Sequence, residues 1–296
     1  MTKVLTKGDL NLLTLQLIED FYSGKLKRYT TGSTELDKFI IYIDKTFNLI
    51  GGRTSEGKTR FIINLILRNI EMGNRVMYVT GEDSDELVNL KILEQEVDLN
   101  SYKLFNKEYS LKEIKNLIIR AQKNIEKYHD NLIFKNVGKV TIKDAIGIMK
   151  EAKKLNVGLF IYDHLQTISA PALSVYERHS LIAEEFRNNT KELSLCTIGC
   201  VQLNRESDPT RANTPPSIAN LKGSGDYEEV AHSCLLIKRK RKKMLDESWQ
   251  QTKFVEVHIP KNRLIGKCGI ITLTPEYTGV SDELLREFEK NRSINI

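Results

Sequence analysis

The sequence contains no hydrophobic run long enough to cross a membrane, no internal repeat and no low-complexity linker. A membrane-spanning helix needs about 18 or more mostly apolar residues, and no stretch of this 296-residue chain approaches that length. Residues 1–9 also lack the apolar segment of a signal peptide. These absences argue against an integral membrane protein, and they lead us to expect a cytoplasmic protein without a membrane partner.

Cysteine is also scarce, and its spacing excludes the paired patterns of common metal sites. The four cysteines are Cys196, Cys200, Cys234 and Cys268, with no Cys-x-x-Cys pair and no histidine cluster nearby. Because Cys196 and Cys200 lie in an apolar run, buried reduced thiols are favoured over a metal site. The 45 Lys and Arg against 39 Asp and Glu give a net charge of +6, which permits a polyanion partner without requiring one.

Predicted strands and helices alternate along most of the chain. Apolar runs predict strands over 47–50, 75–80, 157–162, 195–203, 232–238, 254–259 and 269–273, and helical spacing predicts helices over 10–21, 59–70, 85–96, 111–128, 140–155 and 181–193. This alternation predicts an α/β fold with a mainly parallel sheet flanked by helices and an antiparallel C-terminal extension. The first helix could pack on its own domain or on a neighbouring molecule.

One glycine-rich segment carries a complete phosphate-binding pattern. The segment Gly52-Arg53-Thr54-Ser55-Glu56-Gly57-Lys58-Thr59 matches Gly-x-x-x-x-Gly-Lys-Thr, the P-loop, between a predicted strand and a predicted helix. Its glycines let the backbone wrap a phosphate, and N–H groups at the helix start point at that phosphate. Lys58 would approach the β- and γ-phosphates, and the Thr59 hydroxyl would bind Mg²⁺. We therefore predict ATP and Mg²⁺ as ligands, with Arg60 as a further binding residue.

Acidic residues follow two strands that should lie beside the P-loop. Asp163 ends one strand and could hold Mg²⁺ together with Thr59. Glu82 follows another strand and could activate the attacking water, with Asp83 as a competing candidate. Simpler interpretations stay open, since Asp often ends a strand as a turn residue and acids at a helix start suit its dipole.

Together these segments resemble the C-terminal ATPase domain of DnaB-type replicative helicases, which are hexameric RecA-like motors. Besides the P-loop, the matching segments are Thr31-Gly32-Ser33-Thr34-Glu35-Leu36-Asp37, Thr80-Gly81-Glu82, Asp163-His164-Leu165-Gln166, Lys191-Glu192-Leu193, Gln202-Leu203-Asn204-Arg205, Leu221-Lys222-Gly223-Ser224-Gly225 and Lys261-Asn262-Arg263. The resemblance implies a RecA-like P-loop NTPase core over 30–296, preceded by an N-terminal linker helix over 1–29.

The resemblance also implies roles for the matched residues. Glu82 would be the water-activating base, and Gln202 would sense the γ-phosphate. Lys261 and Arg263 would reach ATP bound by the adjacent subunit. The loop that would grip single-stranded DNA, without reading its sequence, consists of Lys222, Gly223, Ser224 and Gly225. On simpler interpretations Gln202 is a polar strand end, and the two cations belong to a solvated turn.

The whole resemblance implies an ATP hydrolase that forms a homohexamer and moves 5′→3′ on single-stranded DNA, with a primase or a helicase loader as candidate partners. The family's separate N-terminal helical domain is missing from this sequence, which would suit a phage or other mobile element. The sequence also departs from the family pattern: His164 replaces Tyr, Asp83 replaces Met, and Lys222-Gly223 replaces Arg-Glu.

Other functional classes fit part of the pattern. A RecA-like recombinase or a DNA-remodelling ATPase would share the P-loop and Asp163. A small-molecule P-loop kinase would need an acceptor pocket and an arginine-rich lid, and the sequence offers no clear candidate for them. The basic run 238–243 is predicted to end a strand and enter a hairpin. We interpret it as a solvated loop in preference to a non-specific DNA contact, and a nuclear-targeting signal is the least favoured interpretation.

Overall fold

The computed structural model of the chain describes residues 6–97, 99–128, 130–172, 174–203, 216–217, 225–243 and 249–274. Its helices are α1 (Lys7–Tyr22), α2 (Lys58–Glu71), α3 (Asp85–Glu96), α4 (Ser101–Phe105), α5 (Leu111–Tyr128), α6 (Ile142–Lys154), α7 (Val175–Glu192) and α8 (Gly225–Val230). Its strands are β1 (Arg28–Tyr29), β2 (Tyr42–Ile43), β3 (Phe47–Gly52), β4 (Val76–Thr80), β5 (Leu132–Asn136), β6 (Leu159–Asp163), β7 (Cys196–Gln202), β8 (Ser233–Lys243), β9 (Trp249–Asn262) and β10 (Gly269–Leu273).

Eight of these strands form one sheet in the order β10-β9-β8-β3-β7-β6-β4-β5. The six strands from β8 to β5 in this order run parallel, and β9 and β10 add to β8 as antiparallel strands. The predicted α/β fold, with its mainly parallel sheet and antiparallel C-terminal extension, is therefore confirmed. In such a sheet the carboxyl ends of the parallel strands meet at one edge, and ligands bind outside that edge.

Both faces of the sheet are covered by apolar helices. On β4, Val76 and Tyr78 belong to the core that includes α2 and α3, while Met77 and Val79 belong to the core that includes α6 and α7. This alternation follows from the strand geometry, in which successive side chains point to opposite faces. Burying a side chain such as Val79 contributes about 1.5–3 kcal/mol, so the two cores hold the strand ends firmly in place.

Helix α1 lies apart from this core. A capping box formed by Thr6 and Asp9 begins the helix, yet none of its residues is buried. Leu12, Leu13 and Leu15 are each more than half exposed. The predicted helix is thus present, but within the described part of the chain its apolar side chains stay largely exposed.

The predicted burial of Cys196 and Cys200 is confirmed. Cys234 is buried as well, Cys268 is exposed, and none of the four cysteines is part of a disulfide. Within the described ranges, no group of three or more His, Cys, Asp or Glu side chains is placed to hold a metal ion. None of the described helices combines the length and apolarity needed to cross a membrane.

Two predicted boundaries were wrong. Helix α7 begins at Val175 rather than at 181, because Ser174 and Glu177 form a capping box that starts the helix earlier. The basic run 238–243 does not leave the sheet for a loop, since β8 continues through it and pairs with β9.

Strand β5 was not predicted. Its residues are only partly buried at the sheet edge, so their hydrophobic pattern is weak.

Candidate active site

Four loops that carry the matched motifs meet at the carboxyl edge of the parallel strands. The register aligns Gly52 at the end of β3 with Gln202 at the end of β7. It also aligns Thr80 at the end of β4 with Asp163 at the end of β6. The P-loop, Glu82, Asp163 and Gln202 are distant in sequence, and the sheet brings them together.

The P-loop adopts a conformation that depends on a left-handed backbone. Gly57 has φ +99° and directly precedes α2, and Ser55 has φ 65°. A side chain at Gly57 would be strained in this conformation, because L residues rarely adopt it. The loop borders a cavity of about 410 Å³. Its walls are formed by Arg53, Thr54, Ser55, Gly57, Lys58, Thr59, Arg60, Glu82, Asp83, Lys91, Gln202 and Arg239.

Lys58 and Asp163 form a buried ion pair behind this cavity. Lys58 Nζ contacts Asp163 Oδ1, and the Tyr78 hydroxyl donates to Asp163 Oδ2 at 3.1 Å. Burial is the largest single influence on the pKa of Lys58 and lowers it, but the charge of Asp163, its hydrogen bond to Lys58 and the other nearby acidic groups together raise that pKa above its ordinary value. Lys58 therefore stays charged in spite of its burial.

Glu82 receives two hydrogen bonds at the cavity wall. Gln202 Nε2 donates to Glu82 Oε1 at 2.8 Å, and His164 Nε2 lies 2.8 Å from the same oxygen. The hydrogen bond from His164 lowers the pKa of Glu82, with the charge of Lys58 as a further cause. The competing candidate Asp83 instead forms an ion pair with Lys91 on α3. Of the two acids, Glu82 is the one in contact with the matched residues.

Two glutamines connect the ends of β6 and β7. Gln166 Nε2 donates to the carbonyl oxygen of Gln202 at 3.1 Å, and the Gln202 backbone N–H donates to Gln166 Oε1 at 3.2 Å. These reciprocal bonds fix the backbone of Gln202. Its side chain is thereby held where it donates to Glu82.

A close backbone contact also positions Glu82. A Cβ atom at Gly81 would lie 1.9 Å from the carbonyl oxygen of Val137, so the chain can pass here only as glycine. The Val137 N–H donates to the Thr80 carbonyl at 2.8 Å and holds the two segments together. Glu82 thus emerges from a constrained strand end.

Glu56 faces away from the cavity although it belongs to the P-loop. Its carboxylate accepts from the backbone N–H of Arg239 at 2.6 Å and from Arg241 Nη2 at 2.7 Å. Neither Glu56 nor Gly52 is among the residues that line the cavity. Arg239, in contrast, lines the cavity from β8, so part of the basic run lies against the candidate nucleotide site.

Lys261 and Arg263 lie at the opposite edge of the sheet. Lys261 Nζ donates to the Glu229 carbonyl at 3.3 Å, and Arg263 Nη2 contacts the same oxygen. The Arg263 N–H donates to the carbonyl of His232, the residue just before β8 begins. The P-loop begins near the other end of the paired region, where Gly52 pairs with Ile237 of β8. At about 3.3 Å per residue the two levels are about 16 Å apart, so Arg263 lies far from the cavity of its own chain.

The predicted DNA-binding loop falls largely outside the described residues. Lys222, Gly223 and Ser224 lie outside them, as do Asn204 and Arg205 of the neighbouring matched segment. Gly225 is the first residue of α8.

The oxygen donors near the P-loop suit Mg²⁺. Thr59 lines the cavity, and the Asp163 carboxylate lies beside Lys58 at the end of β6. Mg²⁺ in nucleotide sites is usually held by one or two protein oxygens together with phosphate and water, rather than by a cage of protein ligands. The residues present therefore fit this ion.

Several contacts of the site were not predicted from the sequence. His164 was noted only as a departure from the family pattern, and the contacts of Tyr78 with Asp163 and of Arg239 with the cavity were not expected. The alignment of β4 with β6 could have indicated the Tyr78 contact, because parallel neighbours place strand ends at one level. The contact of His164 depends on its side-chain rotamer, which the sequence pattern does not reveal.

Comparison with known proteins agrees with the motifs. The family model described as DnaB-like helicase C terminal domain matches residues 29–279. A "Replicative DNA helicase DnaB" of Helicobacter pylori is 28% identical over 220 residues, which cover 71% of this chain and 43% of that protein. A "Probable plasmid replicative DNA helicase" of Chlamydia muridarum is 30% identical over 229 residues, covering 75% of this chain and 48% of that protein.

The chain thus spans less than half the length of these two relatives. Among solved structures, a DnaB-like replicative helicase superposes with a TM-score of 0.73 at 20% identity, covering 95% of this chain and 68% of that one. A solved ATPase domain superposes with a TM-score of 0.77, also at 20% identity, covering 93% of this chain and 100% of that one. These likenesses confirm the predicted RecA-like fold. Because the family model covers most of the sequence, the chain belongs to the DnaB-like helicase C-terminal domain family.

Proposed function

We propose that this chain is the ATP-hydrolysing motor of a replicative DNA helicase and that it moves along single-stranded DNA. One observation carries the proposal: the Glu82 carboxylate, which accepts a hydrogen bond from Gln202, lines the P-loop cavity of about 410 Å³ from the end of β4. A cavity of this size lies within the usual range for small-molecule sites. The names of the two relatives, both replicative helicases, support the same activity.

In the proposed reaction the P-loop amides and Lys58 bind the β- and γ-phosphates of ATP. A water molecule attacks the γ-phosphorus, Glu82 accepts its proton, and the bond to the β–γ bridging oxygen breaks to release ADP and phosphate. Thr59 and Asp163 would hold Mg²⁺, which neutralises developing charge on the phosphates when it is bound. Gln202 would report the presence of the γ-phosphate through its contact with Glu82.

Binding of ATP would require Lys58 to change partners. Its ammonium group now contacts Asp163, and a triphosphate in the loop offers a second anionic partner. As Lys58 turns toward the phosphates, the freed Asp163 oxygen becomes available to the Mg²⁺ shell. The members of the Lys58–Asp163 pair would thus separate when the nucleotide binds.

Two features support assembly into a ring, for which we propose a homohexamer. Helix α1, in the proposed linker 1–29, carries apolar side chains that no core of the described chain covers. Arg263 lies at the sheet edge opposite its own P-loop and can serve a nucleotide only on an adjacent subunit. Lys261 and Arg263 would then stabilise the charge of the transition state in trans, as arginine fingers do.

We further propose that DNA binds through Lys222, Gly223, Ser224 and Gly225, with charge and backbone N–H groups contacting phosphates. Direction 5′→3′ and contact with a primase or a loader follow from family membership alone, and with the cytoplasmic location expected from the sequence they are parts of the proposal. Hydrolysis at successive subunit interfaces would advance these loops along the strand.

A forked-duplex assay tests this function. The chain, mixed with ATP and Mg²⁺, should release the strand of a fork that carries a 5′ single-stranded tail, and Lys58→Ala should not. Filament formation and pairing of homologous strands without unwinding would indicate a recombinase instead. Phosphorylation of a nucleoside in the absence of DNA would indicate a kinase and would overturn the proposal.

A further inference from the structure

His164 lies directly after Asp163 and contacts the candidate base. Its Nε2 is 2.8 Å from Glu82 Oε1, and its side chain is only 13% exposed, compared with 33% for Glu82. The backbone at His164 is fixed as well, since its carbonyl accepts from the Thr167 N–H at 3.1 Å and from the Thr167 hydroxyl at 2.8 Å. The imidazole therefore extends from an anchored turn rather than from a free loop.

The donor arrangement around Glu82 is asymmetric. Both Gln202 Nε2 and His164 Nε2 bind Oε1, and among the described residues no protein donor binds Oε2. Two donors on one oxygen restrict rotation of the carboxylate and leave the other oxygen open to the cavity. A general base needs this geometry, because one oxygen must be free to accept the proton of the attacking water.

The other ring nitrogen of His164 indicates which tautomer makes the contact. Nδ1 is buried, and no partner within the described residues bonds to it. A proton placed on Nδ1 would be a buried donor without an acceptor, which is costly. With the proton on Nε2, Nδ1 is a buried acceptor, but Nε2 donates to Glu82 Oε1, whereas the other tautomer would turn the Nε2 lone pair toward that carboxylate oxygen.

From these contacts we propose that His164 is a positioning residue for hydrolysis: it holds Glu82 Oε1 so that Oε2 faces the attacking water. This inference deepens the proposed function and rests on it. His164 itself touches neither the phosphates nor the water in this account. Its contribution is the orientation of the base, and a misplacement of a catalytic group by about 1 Å can cost about 100-fold in rate.

A matched pair of variants separates this role from simple packing. His164→Gln keeps an N–H donor at nearly the reach of Nε2, whereas His164→Met has similar length and no donor. We expect kcat for ATP to fall about 10- to 100-fold in His164→Met, with KM changed by less than about twofold. His164→Gln should recover most of that loss. Equal kcat values for the two variants would overturn the proposal.

The second measurement uses the base itself. In a Glu82→Gln background, adding His164→Met should lower kcat no further, because a positioning residue acts only through the group it positions. If His164→Met lowers kcat in the Glu82→Gln background by the same factor as in the parent, the proposal is contradicted. Affinity for a fluorescent ATP analogue, measured on each variant, shows whether the fold and the P-loop are retained.

Failure of the proposed function is distinguishable from failure of this inference. If the parent chain hydrolyses no ATP, or if Lys58→Ala hydrolyses it at the parental rate, the proposed function itself is wrong. If the parent is active and Lys58→Ala is inactive, but His164→Met retains the parental kcat, only the role of His164 is wrong.

Discussion

Glu56 of the P-loop and Arg241 of β8 form an ion pair with 2.7 Å between Oε1 and Nη2. The Glu56 side chain is only 6% exposed, and that of Arg241 is 18% exposed. Glu56 also accepts the backbone N–H of Arg239, which lines the cavity. The contact therefore joins the phosphate-binding loop to the strand that carries the basic run.

Glu56→Met should destabilise the folded chain by about 2 kcal/mol, because it removes the carboxylate that accepts from the partly buried Arg241 side chain and from the Arg239 N–H. Urea denaturation of the nucleotide-free protein measures this change. Glu35→Met is the matched control, since Glu35 pairs with Lys38 on an exposed helical turn and its loss should cost less than about 0.5 kcal/mol. Equal effects of the two variants would show that the pair adds nothing to stability.

Lys58→Met should abolish ATP turnover and also lower the stability of the nucleotide-free chain. Asp163 is almost fully buried, and without Lys58 its charge would be uncompensated, at a cost of about 3–5 kcal/mol. Adding Asp163→Asn should recover part of that stability without restoring turnover. Urea denaturation and a phosphate-release assay check both statements. Parental stability of Lys58→Met would show that the buried pair is not required for folding.

The sequence located the site because its residues follow strands with clear apolar runs. Once β3, β4, β6 and β7 are parallel neighbours, the P-loop, Glu82, Asp163 and Gln202 must meet at one edge. Roles for these residues remain predictions, as does the division of the chain into 1–29 and 30–296.

The contacts between side chains could not be predicted in the same way. Glu56 and Arg241 are 185 positions apart. Their pairing is possible because β8 extends beyond the end of β3 through six basic residues and stays paired with β9. A run of like charges usually indicates a solvated loop, because repulsion disfavours its burial. Here Glu56 and Glu256 lie close to the run and offset part of its charge.

Arg263→Ala should reduce ATP turnover of the assembled oligomer by about 10³-fold or more, the usual contribution of an arginine finger. Since Arg263 lies far from its own cavity, mixing this variant with Glu82→Gln should restore partial turnover at interfaces that combine one intact P-loop site with one intact finger. Mixed oligomers that show no recovery, or an Arg263→Ala variant with parental turnover, would contradict action in trans. Lys261→Ala should also reduce ATP turnover of the assembled oligomer.

Lys222→Ala should weaken binding to single-stranded DNA to a similar extent on every sequence, because a phosphate contact does not read bases. The dependence of log Kd on log salt concentration should become less steep by about 0.7 for each lost phosphate contact. Fluorescence anisotropy over a salt series measures both quantities. Lys150→Ala, an exposed lysine on α6, is the control and should leave the slope unchanged. A sequence-dependent loss would be inconsistent with a backbone contact.

The most direct test of the proposed motor is a single-turnover measurement of ATP hydrolysis by the parent chain and by Glu82→Gln, each with and without single-stranded DNA. We expect DNA to accelerate hydrolysis by the parent, while Glu82→Gln binds ATP with comparable affinity and hydrolyses it at least about 100-fold more slowly. Hydrolysis by Glu82→Gln at the parental rate would contradict the assignment of Glu82 as the base at the P-loop cavity.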